Sequence, residues 1–214
     1  ILAPDLNVHG IKAICDILLG RVSPGGRLKN TLYDYTDKYF ERLKNYKDSN
    51  RNQVGVFYGY RYYDTGGYKV KYPFGYGLSY GKFIYSGLKI KDGVVSFSVK
   101  NKGSVTASEA VQVYVGKQKS SVIRAKKELK YFTKVNLKPG QTATVKFRID
   151  ELDVRVFDVE NKKYVIENGS YDLYIGSSVS DIKLKTKFVM TGQTLKADGL
   201  KYNDFFQNLS NIKT

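Results

Sequence analysis

The sequence contains no tryptophan, and cysteine, methionine and histidine each occur only once among its 214 residues. A single cysteine, Cys15, excludes an intramolecular disulfide, so the fold must depend on its hydrophobic core. One cysteine and one histidine, His9, cannot assemble the ligand set of a zinc site. The missing tryptophan and the lone cysteine also exclude the Cys…Trp…Cys framework of an immunoglobulin domain.

Long apolar runs are missing too, since no stretch approaches the ~20 residues that a membrane-spanning helix needs. Near residue 1, Asp5, Asn7 and His9 interrupt the apolar residues, so no secretory leader is recognised there. The sole methionine is Met190, which indicates that residue 1 is not a translation start and that the chain is a piece of a longer protein. We expect no membrane partner, and these features fit either a cytoplasmic or a secreted protein.

Acidic residues are in the minority, with 20 Asp and Glu against 36 Lys and Arg, for a net charge of +16. A charge of this size makes a nucleic-acid or acidic-polymer binder one hypothesis. The lysines, however, are scattered over predicted strands and turns and interleaved with acidic residues. Their alternation in 89–91 and 183–188 is typical of the solvated face of an edge strand. We therefore expect no nucleic-acid partner.

An amphipathic helix is predicted over residues 7–20, where six apolar residues recur at helical spacing between an asparagine and a glycine. Cys15 falls on the apolar face of this helix, which predicts a buried and unreactive thiol. His9 lies at the helix start and is expected at the surface. Residues 36–47 are a second, more polar candidate helix.

Beyond Phe83 the hydrophobic period changes to two, which predicts short strands separated by turn signals. The first hairpin is expected at Asp92-Gly93, a dipeptide that favours a tight turn. Some seven or eight alternating strands in about a hundred residues predict an antiparallel β-sandwich. Because the immunoglobulin framework is missing, a fibronectin-III-like sandwich fits better than a true immunoglobulin domain.

The segment YPFGYGLSY, residues 72–80, combines four aromatic residues with two glycines and carries no charge. Gly75 and Gly77 permit either a positive φ or the close approach of another chain segment. Aromatic clusters of this kind form internal packing surfaces more often than binding platforms. The stretch therefore predicts an internal contact surface, with a sugar-stacking platform as the competing interpretation.

Six segments resemble the C-terminal region of the family three glycoside hydrolases, the β-glucosidases and β-xylosidases. In the order of that family they are 16–28 (DILLGRVSPGGRL), 55–64 (GVFYGYRYYD), 72–86 (YPFGYGLSYGKFIYS), 99–115, 127–147 and 169–184. The resemblance extends to about residue 190 and implies a mostly β chain with two parts before a polar last stretch. Residues 1–82 would be a small α/β remnant, the last helix and last strands of an α/β sandwich domain. Residues 83–190 would be a fibronectin-III-like β-sandwich, and 191–214 a tail or linker.

The resemblance also implies where the chemistry lies. In this family the nucleophile is an aspartate of a barrel domain, and the acid/base is usually a glutamate earlier in the α/β domain. Retaining glycosidases need both carboxyl groups, and neither segment is present in these 214 residues. The chain is therefore expected to be a non-catalytic part of a β-glycosidase that supports the catalytic domains, without catalytic, cofactor-binding or metal-binding residues. The alternative is a stand-alone carbohydrate-binding or adhesion module.

Within this resemblance, the aromatic stretch becomes a seam between the α/β remnant and the sandwich. Its expected members are Tyr60, Arg61, Tyr62, Phe74, Tyr76 and Tyr80. A lone amphipathic helix beside a few strands offers too little core of its own. Ile11, Ile14 and Leu18 are therefore expected to pack against the sandwich or against a second copy of the chain. The expected partners are the missing catalytic domains, with a homodimer partner and an oligosaccharide as the other candidates.

Overall fold

The computed structural model describes residues 8–33, 55–117, 119–158 and 161–192. Residues 8–33 and 55–82, named here the leading segment, contain helix α1 (Val8–Leu18) and helix α2 (Tyr60–Gly66). No helix in these described ranges combines the length and the apolar character needed to cross a bilayer.

Nine strands follow the leading segment in the described part of the chain. They are β1 (Phe83–Lys91), β2 (Val94–Asn101), β3 (Ala107–Gly116), β4 (Glu128–Leu137), β5 (Thr142–Arg148), β6 (Val156–Asp158), β7 (Lys163–Val165), β8 (Gly169–Gly176) and β9 (Ile182–Met190), with the single-turn helix α3 (Glu151–Val154) before β6. The strand orders are β1-β2-β5 in one sheet and β4-β3-β8-β9 in the other, and β6-β7 forms a separate ribbon. All pairs are antiparallel, so the predicted antiparallel sandwich is confirmed.

The hydrophobic core lies between the two larger sheets and follows the two-residue period of their strands. Its fully buried members alternate along each strand: Val95, Phe97 and Val99 in β2, Val111, Val113 and Val115 in β3, and Leu173 and Ile175 in β8. Each such side chain contributes roughly 1.5–3 kcal/mol when it leaves water. The alternation read from the sequence therefore corresponds to the residues that hold the sheets together.

The hairpin predicted at Asp92-Gly93 joins β1 to β2. Lys91 pairs with Val94, so the loop contains two residues. Asp92 has φ 50° and Gly93 has φ 74°, and a two-residue type I′ turn requires positive φ at both central positions. The local signal therefore fixes both the turn and the register of this strand pair.

The leading segment differs from the expected last strands of an α/β domain. Among its described residues the only strand-like pairing is an isolated bridge between Leu32 and Tyr72, and the tyrosine-rich stretch after Gly59 forms helix α2 instead. Gly59 and Gly67 bracket this helix with positive φ, and Gly67 donates its N–H to the Tyr63 carbonyl. The two glycines therefore delimit the helix on both sides, and no strand forms between them. The helix buries Tyr62 and Tyr63.

Helix α1 forms where the hydrophobic period predicted it, but its packing differs. Ile11 is 51% and Leu18 is 69% exposed, and Cys15 is exposed as well. The prediction that Ile11 and Leu18 pack on the sandwich of the same chain, and that Cys15 is buried, is therefore wrong. The reason is geometric, because the residues that attach the leading segment to the sandwich lie after α1, in 25–27 and 60–75. The candidate helix 36–47 and all but two residues of the tail lie outside the described residues.

Candidate functional site

The leading segment covers part of the outer face of the sheet β4-β3-β8-β9, around β3 and β8, and this contact surface is named here the leading-segment interface. In β3 the valines face the core between the sheets, so Gln112 and Tyr114 point to the opposite side by strand alternation. Tyr174 of β8 shares this outer cluster with Tyr114. All three are buried, so β3 and β8 are covered on both faces.

Aromatic rings form the centre of the interface. Tyr60 of α2 stacks on Phe74 with ring centroids 4.5 Å apart and meets Tyr114 edge-on at 6.1 Å. The Leu129 N–H donates a 2.8 Å hydrogen bond to the Tyr60 hydroxyl, and the Phe74 carbonyl accepts one from Val179 N–H at 3.2 Å. Aromatic pairs of this geometry contribute about 0.5–1.5 kcal/mol beyond their burial.

Gln112 joins the leading segment to two other parts of this surface. Its Nε2 donates to the Gly75 carbonyl at 3.1 Å and to the Ser177 carbonyl at 2.6 Å, and its Oε1 accepts from the Tyr114 hydroxyl at 2.5 Å. Gly75 has φ 79°, and a Cβ there would lie 2.0 Å from Gln112 Oε1. Both reasons that the sequence offered for a glycine, backbone conformation and close approach, therefore hold at Gly75.

A buried ion pair joins the leading segment to the side of β3 that faces the other sheet. Arg27 Nη2 lies 2.5 Å from Glu109 Oε2, and the two side chains are only 10% and 4% exposed. The Tyr85 hydroxyl donates to Glu109 Oε1 at 2.8 Å. Burial raises the pKa of Glu109, and the opposing effects of the Tyr85 hydrogen bond and the Arg27 charge do not reverse that direction. Burial also raises the pKa of Tyr85, and the neighbouring Glu109 carboxylate adds to that effect.

A second buried ion pair joins α2 to the start of β4. Lys127 Nζ lies 2.8 Å from Asp64 Oδ1 of α2, and the side chains are 9% and 10% exposed. Lys127 Nζ also donates to the Val179 carbonyl. Next to it, the Lys126 N–H donates to the Thr65 hydroxyl at 3.0 Å. Helix α2 is thus fixed to the start of β4 by a charge pair and a backbone hydrogen bond.

A third charge cluster, around Glu128, lies at the start of β4. Arg124 Nη2 lies 3.1 Å and Lys130 Nζ 2.9 Å from the Glu128 carboxylate. Burial pushes the pKa of Glu128 upward, but the charges of Arg124 and Lys130 outweigh it, so the pKa lies below its ordinary value. The carboxylate form is therefore favoured in the folded state.

Replacing Glu128 by glutamine should change how the free energy of unfolding depends on pH in the acidic range. A carboxyl group with a lowered folded pKa contributes stability above its unfolded pKa and loses it as the pH falls through the folded value. The native chain should therefore lose more stability than Glu128→Gln between about pH 5 and about pH 2. Urea unfolding over that range measures the difference. If the free energy of unfolding fell in parallel for the two proteins, the lowered pKa of Glu128 would be contradicted.

Comparison with known proteins shows what the chain is similar to. Residues 109–179, from β3 to just after β8, match the model for the fibronectin type III-like domain. The chain is 40% identical over 195 residues to thermostable beta-glucosidase B of Acetivibrio thermocellus, covering 86% of this chain and 26% of that protein. It is 38% identical over 192 residues to beta-glucosidase BoGH3A of Bacteroides ovatus, covering 83% and 26%.

Two solved structures agree with these matches. The GH3 beta-glucosidase of Bifidobacterium adolescentis has a TM-score of 0.77 and 35% identity, covering 90% of this chain and 30% of that one. Beta-glucosidase 3B of Thermotoga neapolitana, solved with α-D-glucose, has a TM-score of 0.77 and 32% identity, covering 88% and 28%. The chain is similar to a C-terminal region of the family three glycoside hydrolases. It spans about a quarter of the length of the named relatives, at 26% of each.

The six residues predicted for the seam occupy different places in the structure. Tyr60 and Phe74 lie in the leading-segment interface, as described above. Tyr62 instead stacks on Tyr68 at 5.0 Å inside the leading segment. Arg61 lies close enough to Glu128 to help lower the pKa of that carboxyl.

The other two members lie on the side of the leading segment that is nearer α1. Tyr76 packs on Tyr72 at 5.0 Å and accepts the Leu28 N–H at its carbonyl. Tyr80 is partly exposed, and its hydroxyl donates to the Ile17 carbonyl of α1 at 2.8 Å. The predicted set is therefore brought together only in part, and its role as an interdomain seam stays a prediction.

Sequence reasoning missed the charged residues that attach the leading segment to the sandwich, which are Arg27, Asp64, Glu109 and Lys127. One of them had a usable signal. Glu109 shares the odd-numbered positions of β3 with the buried valines, so alternation alone places a carboxylate on the inward face. A charge at such a position demands a partner. The sequence does not say that the partner is Arg27.

Proposed function

We propose that this chain is the non-catalytic C-terminal portion of a β-glycosidase and that it supports the catalytic domains structurally. In this proposal residues 1–82 complete an α/β domain, 83–190 form the supporting sandwich, and 191–214 are a tail or linker. The exposed apolar side of the leading segment carries the argument. Its exposed members are Ile11, Leu18, Leu19, Val22 and Leu78.

Hydrogen bonds bring part of this set together. The Tyr80 hydroxyl bonds to the Ile17 carbonyl, the Tyr80 N–H donates to Ser23 Oγ at 3.0 Å, and Ser23 Oγ lies 3.1 Å from Ser79 Oγ. The end of α1, Val22 and Leu78 are therefore held side by side. Contiguous exposed apolar surface of this kind is typical of an interaction site. An α/β domain preceding the leading segment is the occupant that the length of the relatives supports.

The charged groups support a structural role for the other side of the leading segment, which contacts the sandwich. The carboxylates of Asp64, Glu109 and Glu128 are each paired with a cation, and two of these pairs tie the leading segment to the sandwich. A retaining glycosidase instead needs two carboxyl groups that face the same glycosidic bond. The leading segment is thus an adaptor, fixed to the sandwich on one side and open to a partner on the other.

The test uses the chain and the preceding domains of its parent as two separate polypeptides. The isolated chain should not hydrolyse aryl β-glucosides, and it should bind the other polypeptide through the apolar surface. The double variant Leu18→Lys/Leu78→Lys should abolish that binding without loss of folding. Phe132→Lys, which changes an equally exposed residue on β4, should leave binding unchanged and serves as the control.

Three outcomes would overturn the proposal. Turnover by the isolated chain that disappears on replacing one of its acids would make it catalytic. Oligosaccharide binding that persists in the double variant, with no binding to the preceding domains, would favour a stand-alone module. A dimer of the chain that the double variant dissociates, again without binding to those domains, would make a second copy the occupant.

A further inference from the structure

The outer face of the sheet β1-β2-β5 carries a group of positive charges, and it is named here the basic face. Ile90 in β1, Phe97 in β2 and Val145 in β5 pack in the core between the sheets. Because side chains alternate along a strand, the positions between these core residues face outward. Five exposed cations lie there: Lys89, Lys91, Lys100, Lys146 and Arg148.

The strand register arranges four of these cations in two rows across the sheet. Ser96 of the central strand pairs with Lys89 on one side and with Lys146 on the other. In the next row Lys91 and Arg148 lie on either side of β2 in the same way. Because neighbouring strands are about 4.8 Å apart, the Cα atoms of the two cations in a row are held about 10 Å apart. The backbone therefore fixes the spacing of the charges.

Hydroxyl groups lie between and beside the cations. A row formed by Ser86, Ser98 and Thr144 crosses the same face of the three strands. Ser96 lies between two lysines, and Thr142 pairs with Lys100. The basic face thus presents ammonium and hydroxyl groups side by side on a pleated surface.

Acidic residues are missing from the basic face. Strands β1, β2 and β5 contain no Asp or Glu, and the five cations form no ion pair within the described residues. Around the other large sheet, by contrast, Lys127, Lys130 and Lys185 each pair with a carboxylate. The interleaving of opposite charges along the sequence therefore does not extend to the basic face.

Protection of sheet edges explains only part of this arrangement. Strands β1 and β5 are edges of their sheet, and lysines on edge strands prevent pairing with another chain. Strand β9 is also an edge, but its Lys183 and Lys185 are paired with aspartates. Lys100 belongs to the central strand β2, where no edge needs protection. Like charges that repel one another destabilise the compact state, so a bound polyanion would relieve this repulsion.

The side chains of the face favour one class of polyanion. Single-stranded nucleic acid is bound largely by stacking on aromatic rings, and the outward positions of the three strands contain none. A membrane-surface element inserts apolar side chains, but Ile84 is the one exposed large apolar side chain of this face in the described part of the chain. A polymer of sugar units that carry both carboxylates and hydroxyls matches the ammonium and the hydroxyl groups together.

We propose that the basic face binds an acidic polysaccharide, in which successive sugar units carry carboxylate groups. The polymer lies along the sheet, with its carboxylates on the lysines and its hydroxyls on the serines and threonines. The inference does not depend on the proposed supporting role, because the leading-segment interface lies on the other sheet.

The experiment measures binding of the full 214-residue chain to polygalacturonate, which has one carboxylate on each sugar unit. Calorimetric titration at about 50 mM salt should show saturable binding, and at about 150 mM salt the binding should be several-fold weaker because the charges are screened. Fully methyl-esterified polygalacturonate is the matched ligand control. It keeps the sugar chain but not the charge, so it should not bind.

Two double variants distinguish the basic face from the overall charge of the chain. Lys89→Gln/Lys146→Gln removes one row and should weaken binding by about fivefold, since one exposed charge contact changes affinity by about two- to threefold. Lys134→Gln/Lys187→Gln removes the same charge from exposed positions on β4 and β9 and should leave binding nearly unchanged. Thermal unfolding of both variants checks that they fold as the native chain does.

Several results would overturn the inference. They are the absence of saturable binding at the lower salt, equal binding of the esterified polymer, and equal effects of the two double variants. Vesicles containing phosphatidylserine, single-stranded RNA and a short DNA duplex are tested at the same salt. Tighter binding of any of these than of polygalacturonate would assign the face to a membrane or a nucleic acid and would overturn the inference as well.

Discussion

Replacing Lys127 by methionine is expected to lower the free energy of unfolding by about 3–5 kcal/mol, the usual cost of removing one partner from a buried ion pair. Methionine keeps the length of the side chain but leaves the Asp64 carboxylate buried beside no cation. The Val179 carbonyl loses its donor in the same step. Urea unfolding at neutral pH measures the change as a lower midpoint.

Lys126 provides the control for this prediction, because it is the adjacent residue and its side chain is exposed. Lys126→Met should change the free energy of unfolding by no more than about 0.5 kcal/mol. The double variant Lys127→Met/Asp64→Leu should recover much of the lost stability, since it removes the unpaired charge. Equal effects of Lys126→Met and Lys127→Met would show that the Asp64 pair does not hold α2 to the sandwich.

Replacing Arg27 by methionine should be similarly costly, again about 3–5 kcal/mol at neutral pH, and should carry a pH signature. Without Arg27 the pKa of Glu109, already raised by burial, should rise further. A carboxyl group with a raised folded pKa contributes stability that is fully present below its unfolded pKa and is lost as the pH rises through the folded value. The defect should therefore be largest near neutral pH and shrink as the pH falls and Glu109 becomes protonated.

Arg21 is the matched control in the same segment. Its side chain is 67% exposed and lies 3.3 Å from Asp16, and exposed pairs contribute little. Arg21→Met should therefore leave the stability profile nearly unchanged at every pH. A defect of Arg27→Met that does not vary with pH would show that lost packing, and not the Glu109 charge, is responsible.

Local patterns predicted the features that depend on neighbouring residues. The Asp92-Gly93 turn and the buried valines of β3 follow from backbone conformation and strand alternation within a few residues, so the sequence contains them directly. Helix α1 was predictable for the same reason, since its hydrophobic period is local. The burial of this helix was not predictable, because periodicity identifies an apolar face but not the surface that covers it. The prediction that Cys15 is buried failed for that reason.

The tyrosines of α2 show where composition misleads. Aromatic residues favour strands because they pack well on a pleated surface. Here two glycines instead delimit a short helix that contains the tyrosines. The ion pairs were harder still, because the resemblance to the family three enzymes indicated the domains but not the contacts between them. Arg27 and Glu109 are 82 positions apart, and no local pattern relates residues at that separation.

That separation has a consequence for synthesis of the chain. A ribosome adds about 5–20 residues per second, so Arg27 is made roughly 4–16 s before Glu109. During this interval Tyr60 and Asp64 are also without their partners in the sandwich. Docking of the leading segment on the sandwich therefore cannot be complete before Val179, whose N–H donates to the Phe74 carbonyl, has been made. A nascent chain arrested before residue 109 carries unpaired charges and uncovered tyrosines, which makes it a substrate for chaperones and proteases.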